Sequence, residues 1–405
     1  MNLKTLSDLE LNDKVVLCRV DFNVPMKNGR VEDNTRLLRV IPTIKHLIEK
    51  NAKVVIISHF GRPQGEFDRD LSLVPLADAL SSALEGKFVK FAVDCIGHHA
   101  KEAIDSMESG DILLLENLRF HKGEKENDAE FVNELASLGD VYVNDTFSCS
   151  HRPHASILGI AEKLPSAAGF LMQNEIENLE KIFKESLKPM AAIVGGSKVS
   201  TKLDLLNALI SKVDLLVIGG AMANTFLKAK GYNIGKSLHE KELLKAAKDI
   251  IAKAEQSNCE IYLPQDVVVA KELKDRPECK VVSIDEVPSD EMILDLGPQT
   301  IADLSDKLER SKMVVWNGPL GAFEFRPFDV ASITLAQNIA YLTSKGTIKS
   351  VAGGGDVVAA LGVSGLTESF TYISTAGGAF LQWLEGKGLP GVNVLYQNGQ
   401  KNNVA

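Results

Sequence analysis

Four arginines stand just past short β-branched runs in the first half of the chain. Arg36 follows Val20-Asp21-Phe22-Asn23-Val24-Pro25, and Arg62 lies within Ser58-His59-Phe60-Gly61-Arg62-Pro63. Arg119 lies within Leu118-Arg119-Phe120-His121, and Arg152 within Ser150-His151-Arg152, soon after Asn144-Asp145. One arginine in such a place is ordinarily a surface or ion-pair residue. Four at one edge of one sheet must converge, and converging guanidiniums repel unless an anion sits between them. Their planar, bidentate donors suit phosphate and carboxylate. The second half offers a different chemistry. Four apolar runs pass into glycines and then a helical pattern: IVGGSK, VIGGAM, SVAGGGD and ISTAGGA. Glycine lets backbone N–H groups approach a phosphate, and the helix that follows presents its positive N-terminal end. One such pair is a tight turn as often as a binding loop. Four at corresponding positions point to a nucleotide crevice outside the carboxyl ends of a sheet.

These residues need strands to hold them. Strands are predicted at Val15–Val20, Lys53–Ser58, Asp111–Leu115, Val141–Val143, Ala191–Val194, Leu215–Ile218, Glu260–Leu263, Met313–Trp316, Ser350–Ala352 and Thr371–Ser374. Amphipathic helices are predicted between many of them, at Leu37–Lys50, Leu73–Leu84, Ala129–Leu138 and Leu238–Ala254. The alternation argues for α/β architecture, with parallel sheets covered by helices on both faces. The apolar strand cores fit burial on both sides. The segment FLMQNEIENLEKIFKESLKP reads as one long helix stopped by Pro189, with a fresh strand directly after it. Residues 168–188 are therefore expected to bridge two domains, 1–167 and 189–387.

Composition narrows the function further. The 405 residues suit two or three domains, and 45% are apolar, ordinary for a globular protein. The formal charge of −9 counts against a nucleic-acid binder, although a local basic pocket needs only a few side chains. The five cysteines are odd in number and form no CxxC, so a disulfide framework is not expected and a reducing cytoplasm fits. The stretch MNLKTLSDLELNDK has no apolar run behind a basic patch, so no signal peptide is expected, and no run is long enough to span a membrane.

Several strings imitate other sites. Gly386-Lys-Gly388-Leu-Pro-Gly391 matches the dinucleotide fingerprint as letters, but it follows a helical pattern and contains Pro390. Gly231-Tyr-Asn-Ile-Gly235-Lys-Ser237 is one residue short of a P-loop and reads as a surface turn. Cys149-Ser-His151-Arg-Pro-His154 lacks a fourth zinc ligand nearby, and His98–His99 reads as a helix surface.

The series RVDFNVP, SHFGRP, LENLRFHKGE, GGSKVSTKLDLL, VVWNGPLGAFE, AGGGD and ISTAGGA…LEGKGLPGV occurs in that order over nearly the whole chain. In this it resembles the phosphoglycerate kinases. The resemblance implies two Rossmann-like lobes joined by a long bridging helix, with the C-terminal tail, 388–405, returning to the N-terminal lobe. It implies that the N-lobe binds 3-phosphoglycerate or 1,3-bisphosphoglycerate through Asp21, Asn23, Arg36, His59, Arg62, Arg119 and Arg152, with Phe22, Phe60 and Gly61 between them. It implies that the C-lobe binds ADP or ATP with Mg²⁺ through Gly196, Lys198, Lys202, Gly219, Asn317, Glu324, Gly353, Gly354, Gly355, Asp356 and Val357. Asp356 would approach the metal and Glu324 the ribose. Lys198 and Lys202 lie four apart, so one helical face can hold both near the phosphates. Arg36 and Lys198 are the implied catalytic contacts to the transferring phosphoryl group. Members of the family are usually monomeric, and neither nucleic acid nor membrane is an expected partner.

Three departures stand out. Val357 replaces the usual Thr or Ser, removing a hydroxyl contact to a nucleotide phosphate. Thr146-Phe147-Ser148-Cys149-Ser150 replaces the usual Ala-Phe-Gly-Thr-Ala, and Ala376 replaces a glycine. None removes a charged group. Transfer between an acyl phosphate and ADP needs no general base, because the nucleophile is an anion in both directions; the site must gather and neutralise charge instead, with closure of the lobes excluding water. Two rival readings are a non-catalytic relative that keeps the fold and an NAD-dependent dehydrogenase. Binding without turnover would mark the first, and NAD binding the second.

Overall fold

The runs Val15–Arg19, Lys53–Ile57 and Ile112–Leu115 are apolar at nearly every position, and they form the middle of a six-stranded parallel sheet. Across this sheet the strands lie in the order Val89–Ala92, Ile112–Leu115, Lys53–Ile57, Val15–Arg19, Val141–Asn144 and Ser166–Ala168, all parallel. Successive residues point to opposite faces. Val16, Cys18, Val54 and Ile56 enter one core with the helix Thr35–Glu49; Leu17, Val55 and Ile57 enter a second core with the helix Ala129–Ala136. Burial on both faces explains the unbroken apolar runs. The chain direction across the sheet reverses beside Val15–Arg19, and at such a switch point the loops on the carboxyl side part to leave a crevice.

The second sheet has the order Glu260–Tyr262, Leu215–Ile218, Met190–Val194, Met313–Asn317, Lys349–Gly353 and Tyr372–Ser374, again all parallel. Its direction reverses between Met190–Val194 and Met313–Asn317. The computed structural model describes residues 2–27, 29–185, 187–363, 365–374 and 376–396. The chain divides into two compact units, 1–179 with 387–405, and 180–386. The division falls inside the helix Phe170–Lys184, which starts after the strand Ser166–Ala168 and ends before Pro189. Of the expected tail, residues 397–405 lie outside the described set. Among the described residues no helix is long and apolar enough to cross a membrane.

All ten strands expected from the sequence are present, with small changes at their ends. Among the described residues seven more were not apparent: Met26–Lys27 and Arg30–Val31, a pair of two-residue strands, and five longer ones that each have a physical reason. Val89–Ala92 is an edge strand with two half-buried positions, and Ser166–Ala168 is built of small residues without β-branching. Asp266–Ala270, Cys279–Ser283 and Met292–Leu296 form a separate antiparallel sheet, whose outer strand Cys279–Ser283 is largely exposed. Its core is a small satellite cluster that includes Val267, Val269 and Ile284.

Candidate active site

In the first unit the loops after Val15–Arg19, Lys53–Ile57, Ile112–Leu115 and Val141–Asn144 carry most of the residues expected to bind substrate. Arg36, the second residue of the helix Thr35–Glu49, donates from Nη1 to Asp21 Oδ2 at 2.8 Å and to the Asn23 carbonyl at 3.1 Å. Ser148 donates to the same Asp21 oxygen at 2.6 Å, so this departure from the family pattern adds a hydrogen bond. Asn23 Oδ1 accepts from the Gly61 N–H at 2.9 Å, and Arg119 Nη1 donates to the Gly61 carbonyl at 2.6 Å. Gly61 has φ +62°, and a Cβ there would stand 2.5 Å from Leu71. Asn117 clamps the loop by accepting from the Phe60 N–H and donating to the Phe60 carbonyl. Phe22 and Phe60 are buried in the core beside the helix Thr35–Glu49.

His59 is 3% exposed, and its Nδ1 lies 3.0 Å from Arg19 Nη2. Burial, followed by the charges of Arg19, Arg119 and Arg152, holds its pKa well below the ordinary imidazole value, so the ring is neutral. His154 is pushed down to about 4, first by burial and then by the same arginines, Arg119 foremost. Burial also lowers Arg119, with a further contribution from Arg19. Arg119 Nε is buried with no partner among the described residues. Arg152 Nε donates to His151 Nε2 at 3.1 Å.

The structure thus ties Asp21, Asn23, Arg36, Gly61 and Arg119 into one connected set, with the charges of Arg119 and Arg152 acting on His59. Arg62 is exposed and pairs with no described residue. Arg19 was missed. It is 1% exposed inside the apolar run VVLCRV, and an arginine in a strand buried on both faces is a signal the sequence carries.

The second unit builds its site from main chain. After Met190–Val194, Gly195 leaves no room for a side chain, since a Cβ would lie 1.9 Å from the Pro319 carbonyl. Gly219 packs against Leu320 in the same way, and a Cβ on Gly353 would lie 2.3 Å from Phe380. These glycines serve packing. Gly196, with φ +126°, has only the distant tip of Lys202 near its Cβ position, and Gly355 has nothing within 4 Å. Gly354, with φ +115°, turns the chain into the helix Gly355–Val363, with Asn317 Nδ2 only 2.6 Å from a Cβ there. Asn317 donates to the Gly353 carbonyl. Beside Gly196 opens a cavity of about 280 Å³, whose wall includes Gly220, Asn224, Asp295, Leu320 and the exposed Glu324. A largely apolar cavity bordered by open glycines suits a flat base with attached phosphates.

Two expectations change here. Lys198 and Lys202 do not share a helical face, because the helix begins only at Leu203. Ser200, just before it, is held by Glu240, which accepts from its N–H at 3.0 Å and its hydroxyl at 2.5 Å. Lys198 stays exposed in the loop, while Lys202 turns back to donate to the Gly195 carbonyl at 2.6 Å and to Asn317 Oδ1. Lys202 therefore braces the two glycine loops. Val357 is 0% exposed and its side chain belongs to the apolar core, which leaves the backbone N–H as the group it could offer, as expected from the missing hydroxyl. The turn Gly231–Ser237 is not a simple surface feature: Ile234 and Ser237 are buried, and Gly235 pairs with Met292. Asp356 is the second residue of its helix, and its side chain lies outside the described set.

The family model for phosphoglycerate kinase matches residues 6–387. The chain is 54% identical to the phosphoglycerate kinase of Xanthobacter autotrophicus over 392 residues, covering 97% of this chain and 98% of that protein. It is equally similar to that of Sinorhizobium fredii, at 54% over 398 residues, with 98% and 100% covered. The solved phosphoglycerate kinase of Coxiella burnetii superposes with a TM-score of 0.86 at 43% identity, covering 98% of this chain and 100% of that one. That of Pyrococcus horikoshii superposes at 0.82 with 31% identity, with 97% and 98% covered.

Proposed function

This chain belongs to the phosphoglycerate kinase family and is a phosphotransferase, and from that premise we propose how its two sites divide the reaction. The arginine-rich loops of the first unit hold 3-phosphoglycerate or 1,3-bisphosphoglycerate. The glycine crevice of the second holds ADP or ATP. The observation that carries the first assignment is Arg119, whose buried Nε has no described partner and stands among the charges of Arg19 and Arg152. A buried guanidinium with a spare donor calls for an anion.

In the forward direction a β-phosphate oxygen of ADP attacks the acyl phosphate. The new O–P bond forms as the bond from phosphorus to the carboxylate oxygen breaks, and 3-phosphoglycerate leaves as a carboxylate. No proton changes place. His59 is neutral and serves as a hydrogen-bond donor to substrate, not as a base. Arg36 from the first unit and Lys198 from the second neutralise charge on the transferring group. Lys202 acts one step back, by bracing Gly195 and Asn317.

The residues fit a magnesium nucleotide. As an aspartate, Asp356 would supply a hard oxygen ligand at the start of this helix, beside Gly355, whose Cβ position has no atom within 4 Å. When bound, the ion would neutralise phosphate charge and hold the nucleotide in line. Because the substrates belong to different units, transfer requires them to be brought together. The helix Phe170–Lys184, divided between the units, is the proposed hinge. A cytoplasmic, monomeric enzyme is part of the same reading.

The test is turnover of purified protein with 3-phosphoglycerate and MgATP, following acyl phosphate through a coupled dehydrogenase, beside Arg36→Ala. Native activity with a loss of about 10²–10³-fold in the variant is expected. A native protein that binds both ligands and does not turn over sinks the proposal.

A further inference from the structure

Glu124 is 0% exposed, yet no step of the transfer uses it. Its Oε1 accepts from Ser156 Oγ at 2.7 Å, and its Oε2 from the Ser156 N–H at 2.9 Å. The serine hydroxyl has one proton, and it is committed to Glu124. The same oxygen can therefore only accept from Arg19 Nε, 2.9 Å away. Arg19 in turn reaches His59 Nδ1 with Nη2 at 3.0 Å. A guanidinium has donors and no acceptor, so the direction of this last bond is fixed: Nδ1 accepts. A neutral imidazole whose Nδ1 accepts carries its proton on Nε2. We infer that Glu124, Ser156 and Arg19 form a buried positioning line that fixes His59 as the Nε2–H tautomer, so that its free nitrogen presents a donor to the substrate anion.

Every member of the line is 3% exposed or less, so water does not compete for these bonds. Burial and the surrounding arginines resist protonation of His59, which keeps the ring from escaping as an imidazolium. The opposite tautomer would set an N–H against the Arg19 N–H and turn a lone pair toward an anion. Glu124 thus acts on substrate through two intermediaries, and it is a positioning residue. Burial raises the Glu124 pKa, but the charge of Arg19 and the two bonds from Ser156 oppose that rise. Line and carboxylate support each other.

The inference rests on the proposed role of His59 as a substrate donor, but the tautomer can be read without substrate. Long-range ¹H–¹⁵N spectra of the ligand-free native protein at neutral pH would show His59 with a pyrrole-type Nε2 and a pyridine-type Nδ1, assigned by loss of the signals in His59→Gln. In Ser156→Ala and Glu124→Gln the pattern should average toward mixed tautomers, and KM for 3-phosphoglycerate should rise about tenfold while KM for MgATP holds. An Nδ1–H ring or an imidazolium in the native protein overturns the inference. So does a Ser156→Ala protein with native spectra and native KM, even if Glu124→Gln fails to fold. Absence of turnover with the expected tautomer in place would instead count against the proposed function alone.

Discussion

Asp145 in the first unit and Asp295 in the second are built alike and ionise differently. Each sits at the end of a strand and meets the start of a helix. The Met172 N–H donates to Asp145 Oδ1 at 3.0 Å, at the head of Phe170–Lys184; the Ala331 N–H donates to Asp295 Oδ2 at 3.0 Å, at the head of Val330–Ser344. Each is approached by a glycine whose Cβ would strike the carboxyl, Gly169 at 2.4 Å and Gly321 at 2.2 Å. Each leaves one buried oxygen without a well-formed hydrogen bond among the described residues. A helix N-terminus favours the anion, but burial opposes it and wins in both places. Asp145 is pushed up to about 6, first by burial, with the Thr43 hydroxyl and the Met172 and Leu171 N–H groups holding it back. Asp295 is pushed up to about 8, first by burial, with backbone N–H groups holding it back and the charge of Asp329 adding to the rise. At neutral pH the first is an anion and the second a neutral acid. The helix ends are equivalent; a hydroxyl on one side and a carboxylate on the other set the outcome.

The largest test of this contrast is the pH dependence of stability. Both folded-state values lie above the unfolded carboxylate value of 3.8, so the associated stability is complete below it and is lost as pH rises through the folded value. Relative to Asp295→Asn, the native protein should lose about 5 kcal/mol between about pH 4 and pH 8, and no more above that. Relative to Asp145→Asn the loss should be about 3 kcal/mol and finish near pH 6. Urea unfolding of the three proteins across this range measures both. Identical profiles for the two variants would erase the distinction. Thr43→Val should have a smaller effect and make Asp145 more like Asp295. The hydroxyl also accepts from the Phe170 N–H at 3.0 Å, so about 1–2 kcal/mol of stability should go with it at neutral pH. The ¹³C shift of the Asp145 carboxyl should then titrate at a higher pH, and an unmoved midpoint would clear Thr43 of the role.

In the sequence Asp145 reads only as a polar residue at a strand end and Asp295 does not stand out at all, and neither raised pKa could be read from it. Regular burial leaves a local trace: the ten expected strands are β-branched or apolar runs, and the helix Thr35–Glu49 shows its buried face as Leu37, Val40, Ile44 and Leu47. Motif order carries Asp21, Arg36, Arg119 and Asn317, because their neighbours in the chain are distinctive. Partnership across the fold leaves no such trace. Glu124 and Ser156 lie 32 residues apart, and Arg19 and Ser156 137 apart. The resemblance implies that Lys202 binds nucleotide and its spacing predicts a helical face shared with Lys198, but which carbonyls it reaches depends on where Gly195 and Asn317 end up. Asp145 and Asp295 are the extreme case, since their ionisation depends on Thr43 and Asp329, which are distant in sequence and ordinary in type.

Asp329→Asn has the smallest expected effect and isolates the other side of the contrast. Asp329 is the N-cap residue of Val330–Ser344, but its side chain makes no capping bond, so removing its charge should not unravel the helix. It stands 3.8 Å from Arg326 Nε, an exposed side chain whose charge would then lose its nearest partner. Removing the like charge favours the anion of Asp295. Its ¹³C carboxyl midpoint should fall by roughly half a pH unit, toward Asp145 but short of it, because burial remains the larger cause. A fall all the way to the Asp145 value would make the like charge the whole difference between the two sites. An unmoved midpoint would leave the Thr43 hydroxyl, acting on Asp145 alone, as what separates them.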